Sequence, residues 1–248
     1  MMPITMHAFM AIWSNVRPDM AAEWYRWHTE EHMPERVGIP GFLAGRRYDL
    51  VDPSLAPAAP EPRRLQHCYM MYEGERLATF NSDAYLERLN NPTPWTREMA
   101  PGFQNFSRGA CDLTTTSGDG YGGFALLMRF EDGGRQRDLS AATLEALDHF
   151  VTTLPGLAGV TAAHFGFCRP EITNVDTAEK QTRAGVEEQL FQSVLLVEGY
   201  DAALLAKHFA AIEANLNALG MPAKTARYGF YALSHLLTER TTEEPNRH

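Results

Sequence analysis

The run Trp24-Tyr25-Arg26-Trp27-His28-Thr29-Glu30-Glu31-His32 places two imidazoles four residues apart with a carboxylate beside them. On a helix, at a step of roughly 100° per residue, Met20, Trp24, Trp27 and Glu31 share one face. Tyr25, His28 and His32 form the adjoining stripe, and Glu23, Arg26, Thr29 and Glu30 take the solvated side. Ionised groups in an apolar arc are costly unless they pair or do chemistry. His28, Glu31 and His32 are therefore candidates for general acid–base catalysis, with Glu31 or His28 as the base. Trp24 and Trp27, with Tyr25, would wall a substrate.

The following strand extends the set. Phe42, Ala44, Arg46, Tyr48 and Leu50 alternate onto one face. Arg46 is placed to hold a carboxylate or phenolate, and Tyr48 to donate a hydrogen bond. The plain structural alternative is that Arg46 neutralises Glu31 or that Arg47 is a solvated edge residue. Among the strand histidines, His67 and His235 are the secondary candidates for the cavity.

His28 to His32 also matches H-x-x-E-H, an inverted zinc-protease pattern. No third ligand stands at a convincing position. No metal ligand set and no cofactor are expected. Serine-hydrolase, P-loop and dinucleotide-binding motifs are absent, and Gly118 to Gly123 precedes a strand, so it reads as linker. Cys68, Cys111 and Cys168 are scattered, a poor disulfide framework that fits a reducing, cytoplasmic setting. The net charge of −9 disfavours a nucleic-acid partner. No secretory signal or membrane-spanning stretch is visible.

These residues need a scaffold, and the element pattern supplies one twice. Strand 5–13, helix 18–37, strand 42–51, strand 65–72, helix 75–90 and a strand near 106–114 read β-α-β-β-α-β. After a linker at 115–120 the order restarts: strand 121–130, a helix capped by Ser140, strand 159–168, a polar loop 169–187, strand 189–197, helix 201–219 and strand 224–237. The Pro-Gly breaks at Pro40-Gly41 and Pro155-Gly156 lie about half a chain apart. The expected fold is α+β, two ferredoxin-like βαββαβ halves forming a single-chain dimeric α/β barrel. Residues 1–118 make the half with the site, 119–238 the second half, and 239–248 a frayed tail. At the same offset Trp24 maps to Leu139, His28 to Thr143, Glu31 to Ala146, His32 to Leu147, Arg46 to Thr161 and Tyr48 to Ala163. One polar site per chain follows.

Trp24 to Arg36, then Ile39-Pro40-Gly41-Phe42 and Gly45-Arg46-Arg47-Tyr48, resembles the EthD-like group of dimeric α/β-barrel proteins. The resemblance implies the fold, and among activities cofactor-independent monooxygenation, lactone isomerisation and polyketide tailoring, with haem-binding branches. Residues and resemblance together suggest a cofactor-independent lyase or isomerase acting on a small aromatic or hydrophobic metabolite, as in aromatic catabolism. A non-catalytic small-molecule binder and a haem protein are the alternatives. Pairing of two such chains into a homodimer stays open.

Overall fold

The computed structural model describes residues 6–183, 185–186 and 188–238. The tail expected at 239–248 lies outside them. Eight strands carry the fold: β1 Ala8–Val16, β2 Phe42–Leu50, β3 Cys68–Gly74, β4 Phe103–Gly118, β5 Phe124–Phe130, β6 Val160–Cys168, β7 Ser193–Gly199 and β8 Arg227–Thr238. They close into an antiparallel barrel in the order β1-β3-β2-β8-β5-β7-β6-β4. Each half contributes four adjacent strands in the split βαβ order. The halves join at two seams, β2 with β8 and β4 with β6. Among the described residues, closure leaves no unpaired sheet edge.

Side-chain alternation sorts the core into three parts. Phe9 and Trp13 of β1, Tyr48, Tyr69 and Tyr231 fill the barrel interior. Met10 and Ile12 face outward to the first-half helices, among Trp24, Trp27, Met70 and Tyr72. In the second half Leu126, Met128, Phe130 and Phe165 meet Leu147, Val151, Leu205 and Ile212. Each fully buried large apolar side chain contributes about 1.5–3 kcal/mol of transfer free energy.

The helices are α1 Ala21–Trp27, α2 Met33–Val37, α3 Asp83–Asn90, α4 Pro94–Met99, α5 Ala141–Thr153, α6 Pro170–Thr173, α7 Ala178–Thr182 and α8 Ala202–Ala218. α1 and α2 are one continuous rod interrupted by a π turn, His28–His32, in which the Met33 N–H reaches back five residues to the His28 carbonyl. Pro34 explains the widening. It has no N–H for the carbonyl of Glu30, and its ring crowds that carbonyl, so the preceding turn opens. The rod lies close on β2 at Gly45, where a Cβ would sit 2.7 Å from Met33 Cγ. Gly41, at φ +90°, makes the reversal between rod and strand.

Three expectations change. The 115–120 linker is largely strand, because β4 runs to Gly118 and pairs with β6 as far as Gly118↔Ala162. The second helix of the first half is shorter, starting after Ser82, whose hydroxyl caps it by accepting from the Tyr85 N–H. The loop after Cys168 holds α6 and α7. Thr177 caps α7, and the Ala178 N–H donates to Asn90 Oδ1 at the end of α3. A short arm of the second half is thereby docked on the first.

Candidate active site

Two buried polar clusters occupy opposite faces of the first-half sheet. The outer one lies beneath the α1–α2 rod. His28 is fully buried, its ring stacked on Trp24 at 5.2 Å and 17°. Its Nδ1 lies 3.3 Å from Arg47 Nη1 and its Nε2 lies 3.4 Å from the Tyr72 hydroxyl. Arg47 also donates to Thr29 Oγ1 at 2.9 Å and stacks on Tyr25 at 4.7 Å. Burial first, then His32 and Arg47, hold the His28 imidazole well below its usual range, so it is neutral near pH 7.

His32 sits one turn on, 4.5 Å from the Trp27 ring and 5.6 Å from that of His28. Burial, then Arg36 and Arg183, keep it neutral as well. Its Nδ1 is buried without a hydrogen-bond partner among the described residues. It lines a small cavity with Tyr72, Arg36, Arg108, Glu179 and Arg183, walled by Ile12, Met70, Tyr85, Phe103 and Phe106. The free volume, about 20 Å³, suits one water molecule.

The second half closes this cavity. Glu179 on α7 forms an ion pair with Arg36, and Arg183 donates to Glu179 at 3.1 Å. Burial pushes the Glu179 carboxyl up, but Arg36, Arg183 and Arg108 together outweigh burial and hold it below the carboxylate range. Arg183 lies over the Phe106 ring at 4.7 Å.

The inner cluster lies inside the barrel. Arg46 is fully buried between Glu73 at 2.6 Å and Glu198 at 2.8 Å, and donates to the Tyr48 hydroxyl at 3.0 Å. His164 Nε2 lies 3.2 Å from Glu198, and the Gly122 N–H donates to the same carboxylate. Tyr121 covers Arg46 at 4.5 Å. The guanidinium is answered by two carboxylates, which makes this cluster a lock between halves.

The sequence-derived site is thus divided. His28, His32, Trp24 and Trp27 stand together. Arg46 and Tyr48 do not join them, because a β-bulge between Phe42 and Ala44 reverses the alternation. Phe42 faces the rod, whereas Arg46 and Tyr48 face the barrel interior. Arg47, buried and not a solvated edge residue, meets His28 in their place.

Glu31 turns away too. Its carboxylate accepts from Thr93 Oγ1 at 2.6 Å and faces Thr96 Oγ1 at 3.4 Å, at the start of α4. The π turn has rotated it off the face assigned by a regular helical wheel. Tyr25 donates to Asp49 at 2.5 Å, on the rim. His67 is largely exposed, 4.0 Å from Asp49. It lines a separate cavity of about 420 Å³ with Arg64, Val51, Tyr228 and Phe230. His235 is registered against Arg47 on β8, and burial followed by Arg47 lowers its pKa.

Arg47, Tyr72, Arg36, Arg108, Glu179 and Arg183 escaped sequence reasoning. Tyr72 has a readable signal: Cys68, Met70 and Tyr72 share one side of β3. The arm's contribution has none, since its contacts are long-range. In the second half Leu147, opposite number of His32, is packed in apolar core.

No protein-family model matches the sequence, and no curated protein matches it at a significant level. Solved structures do match the fold. A protein titled "anthrone oxidase-like" shares 8% identity at a TM-score of 0.60, covering 93% of this chain and 92% of its own. A "Putative monooxygenase" from Fusobacterium nucleatum subsp. nucleatum shares 11% at 0.56, over 94% and 95%. Another of that description from Lactobacillus acidophilus NCFM shares 11% at 0.52, over 93% and 95%. The chain has the α+β barrel fold of these proteins, each matched over nearly its whole length. Among the described residues no helix is long and apolar enough to cross a membrane.

Proposed function

We propose that the protein is a cofactor-independent enzyme that removes a proton from a small aromatic or otherwise hydrophobic substrate beside His32. One observation carries this reading: His32 is a buried, neutral imidazole whose Nδ1 has no partner among the described residues, set in a cavity with two phenols, three guanidiniums and the Glu179 carboxylate. A neutral imidazole is a competent base near pH 7. Tyr72, its pKa pushed up by burial, keeps its proton and donates a hydrogen bond to the oxygen on which negative charge develops. Arg47, through His28, orients that phenol. Arg36, Arg108 and Arg183 favour an enolate or phenolate, and Trp27, Phe103 and Phe106 exclude water. Entry requires displacement of the α6–α7 arm, because the closed cavity holds about one water. Glu31, engaged at α4, leaves the base role to His32. The EthD-like stretch 24–48 fits this reading.

The resulting anion is the first intermediate of an isomerisation or elimination. It is equally the species that dioxygen oxidises, and the descriptions of the structural neighbours favour that branch. Anthrone serves as probe. In deuterated buffer under argon, the protein should accelerate exchange at the methylene. In air, anthrone and dioxygen should give anthraquinone and water, with matching oxygen uptake. Exchange without uptake selects the isomerase or lyase branch.

The second reading is a carrier for hydrophobic molecules, favoured by the 420 Å³ cavity near His67, whose volume suits a small ligand. Binding of anthrone with no accelerated exchange would select it.

A further inference from the structure

The scattered cysteines are not scattered in space. Cys111 of β4 and Cys168 of β6 are registered directly opposite each other at a seam between the halves. The Arg169 N–H bonds to the Ala110 carbonyl at 2.8 Å, while the Cys168 N–H bonds away, to Gln192 of the other neighbouring segment. Cys111 and Cys168 therefore form a non-hydrogen-bonded pair, in which opposed Cα atoms approach to about 4.5 Å. That lies within the span a disulfide bridges, about 4.4–6.8 Å. Both side chains belong to the barrel interior. Gly109, one step along the same face, leaves room for the second sulfur: a Cβ there would sit 2.6 Å from Cys168 Sγ. Burial first, then Cys168 itself, raises the Cys111 thiol. Cys111 is buried, Cys168 half-buried, so an oxidant meets Cys168 first.

We infer that Cys111 and Cys168 form a reversible redox staple that covalently joins the two halves at the β4–β6 seam. With a small disulfide as oxidant, the Cys168 thiolate attacks glutathione disulfide and releases one glutathione, leaving a mixed disulfide. Cys111 loses its proton, attacks the Cys168 sulfur and expels the second glutathione. The protein dithiol is oxidised by two electrons, and glutathione disulfide is reduced to two thiols. The staple lies next to Arg169, where the arm that closes the His32 cavity begins, so oxidation fixes the root of that arm.

The test incubates the folded protein with excess oxidised glutathione at mildly alkaline pH. Two of the three thiols should disappear, the intact mass should fall by two hydrogens, and a non-reducing digest should yield one linked pair of peptides containing Cys111 and Cys168. The melting temperature should rise by about 5 °C and return on reduction with dithiothreitol. Cys68→Ser should keep both the link and the shift. Cys111→Ser and Cys168→Ser, confirmed to melt cooperatively, should lose both. Persistence of a glutathione adduct on Cys168, a link through Cys68, or three free thiols after treatment would each overturn the inference.

Discussion

Arg47 Nη1 lies 3.3 Å from His28 Nδ1, inside a buried layer. A guanidinium has only donors, so Nδ1 must accept and the imidazole proton must sit on Nε2, facing the Tyr72 oxygen. Nitrogen-15 NMR of the histidine side chains should show the Nε2–H tautomer for His28, unprotonated well below its ordinary range. In Arg47→Met its protonation should shift upward, though burial still opposes the charge. An Nδ1–H pattern in the native protein would contradict the relay to Tyr72.

His32→Gln should cut anthrone exchange by about two to four orders of magnitude, the usual loss for a general base. Glu31→Gln should instead cost about 1 kcal/mol of stability by weakening its bond to Thr93, with the rate per folded molecule unchanged. Rates and melting temperatures measured on the same samples separate the two. A loss of turnover in folded Glu31→Gln would return the base to that position.

The inner lock has a pH signature. Burial pushes the Glu198 carboxyl up, yet Arg46 and His164 together overcome it and hold the group at about 2, against 4.5 in the free side chain. A depressed carboxyl stabilises the fold above its unfolded pKa, and that contribution fades as pH falls from 4.5 towards 2. The denaturant-unfolding stability of Glu198→Gln should therefore vary less with pH over that window. At neutral pH the variant should lose about 3–5 kcal/mol, as expected when one partner of a buried pair is removed. Denaturant titrations at several pH values report both.

Glu179 anchors the arm to Arg36 and carries its bond to Arg183. Glu179→Gln should release the arm, seen as faster tryptic cutting after Lys180 and Arg183. An unchanged digestion rate would mean that the cap at Thr177 and the Asn90 contact suffice to hold it.

The repeated β-α-β-β-α-β order was readable because strand alternation, helix periodicity and the two Pro-Gly breaks are local signals. The neighbourhood of His28 and His32 was readable for the same reason, since residues four apart stay together even through the π turn. Glu31 and Arg46 were misplaced by one-residue irregularities, the π turn ahead of Pro34 and the bulge after Phe42. Either one rotates or reverses every side chain beyond it, and only Pro34 announces itself in the sequence. The meeting of Arg36 with Glu179 and of Cys111 with Cys168 depends on tertiary pairing between halves, which single-sequence patterns do not encode.

The arm of the second half, docked over the cavity of the first, has a consequence for division of labour. Two identical chains related by a twofold axis must carry two identical sites, and each substitution acts in both. A fused pair is free of that constraint. One half can keep Leu147 as plain packing and specialise as a cover, while the other alone retains His32. Ligand titration should then saturate at one molecule per chain, and the two helices should tolerate quite different substitutions.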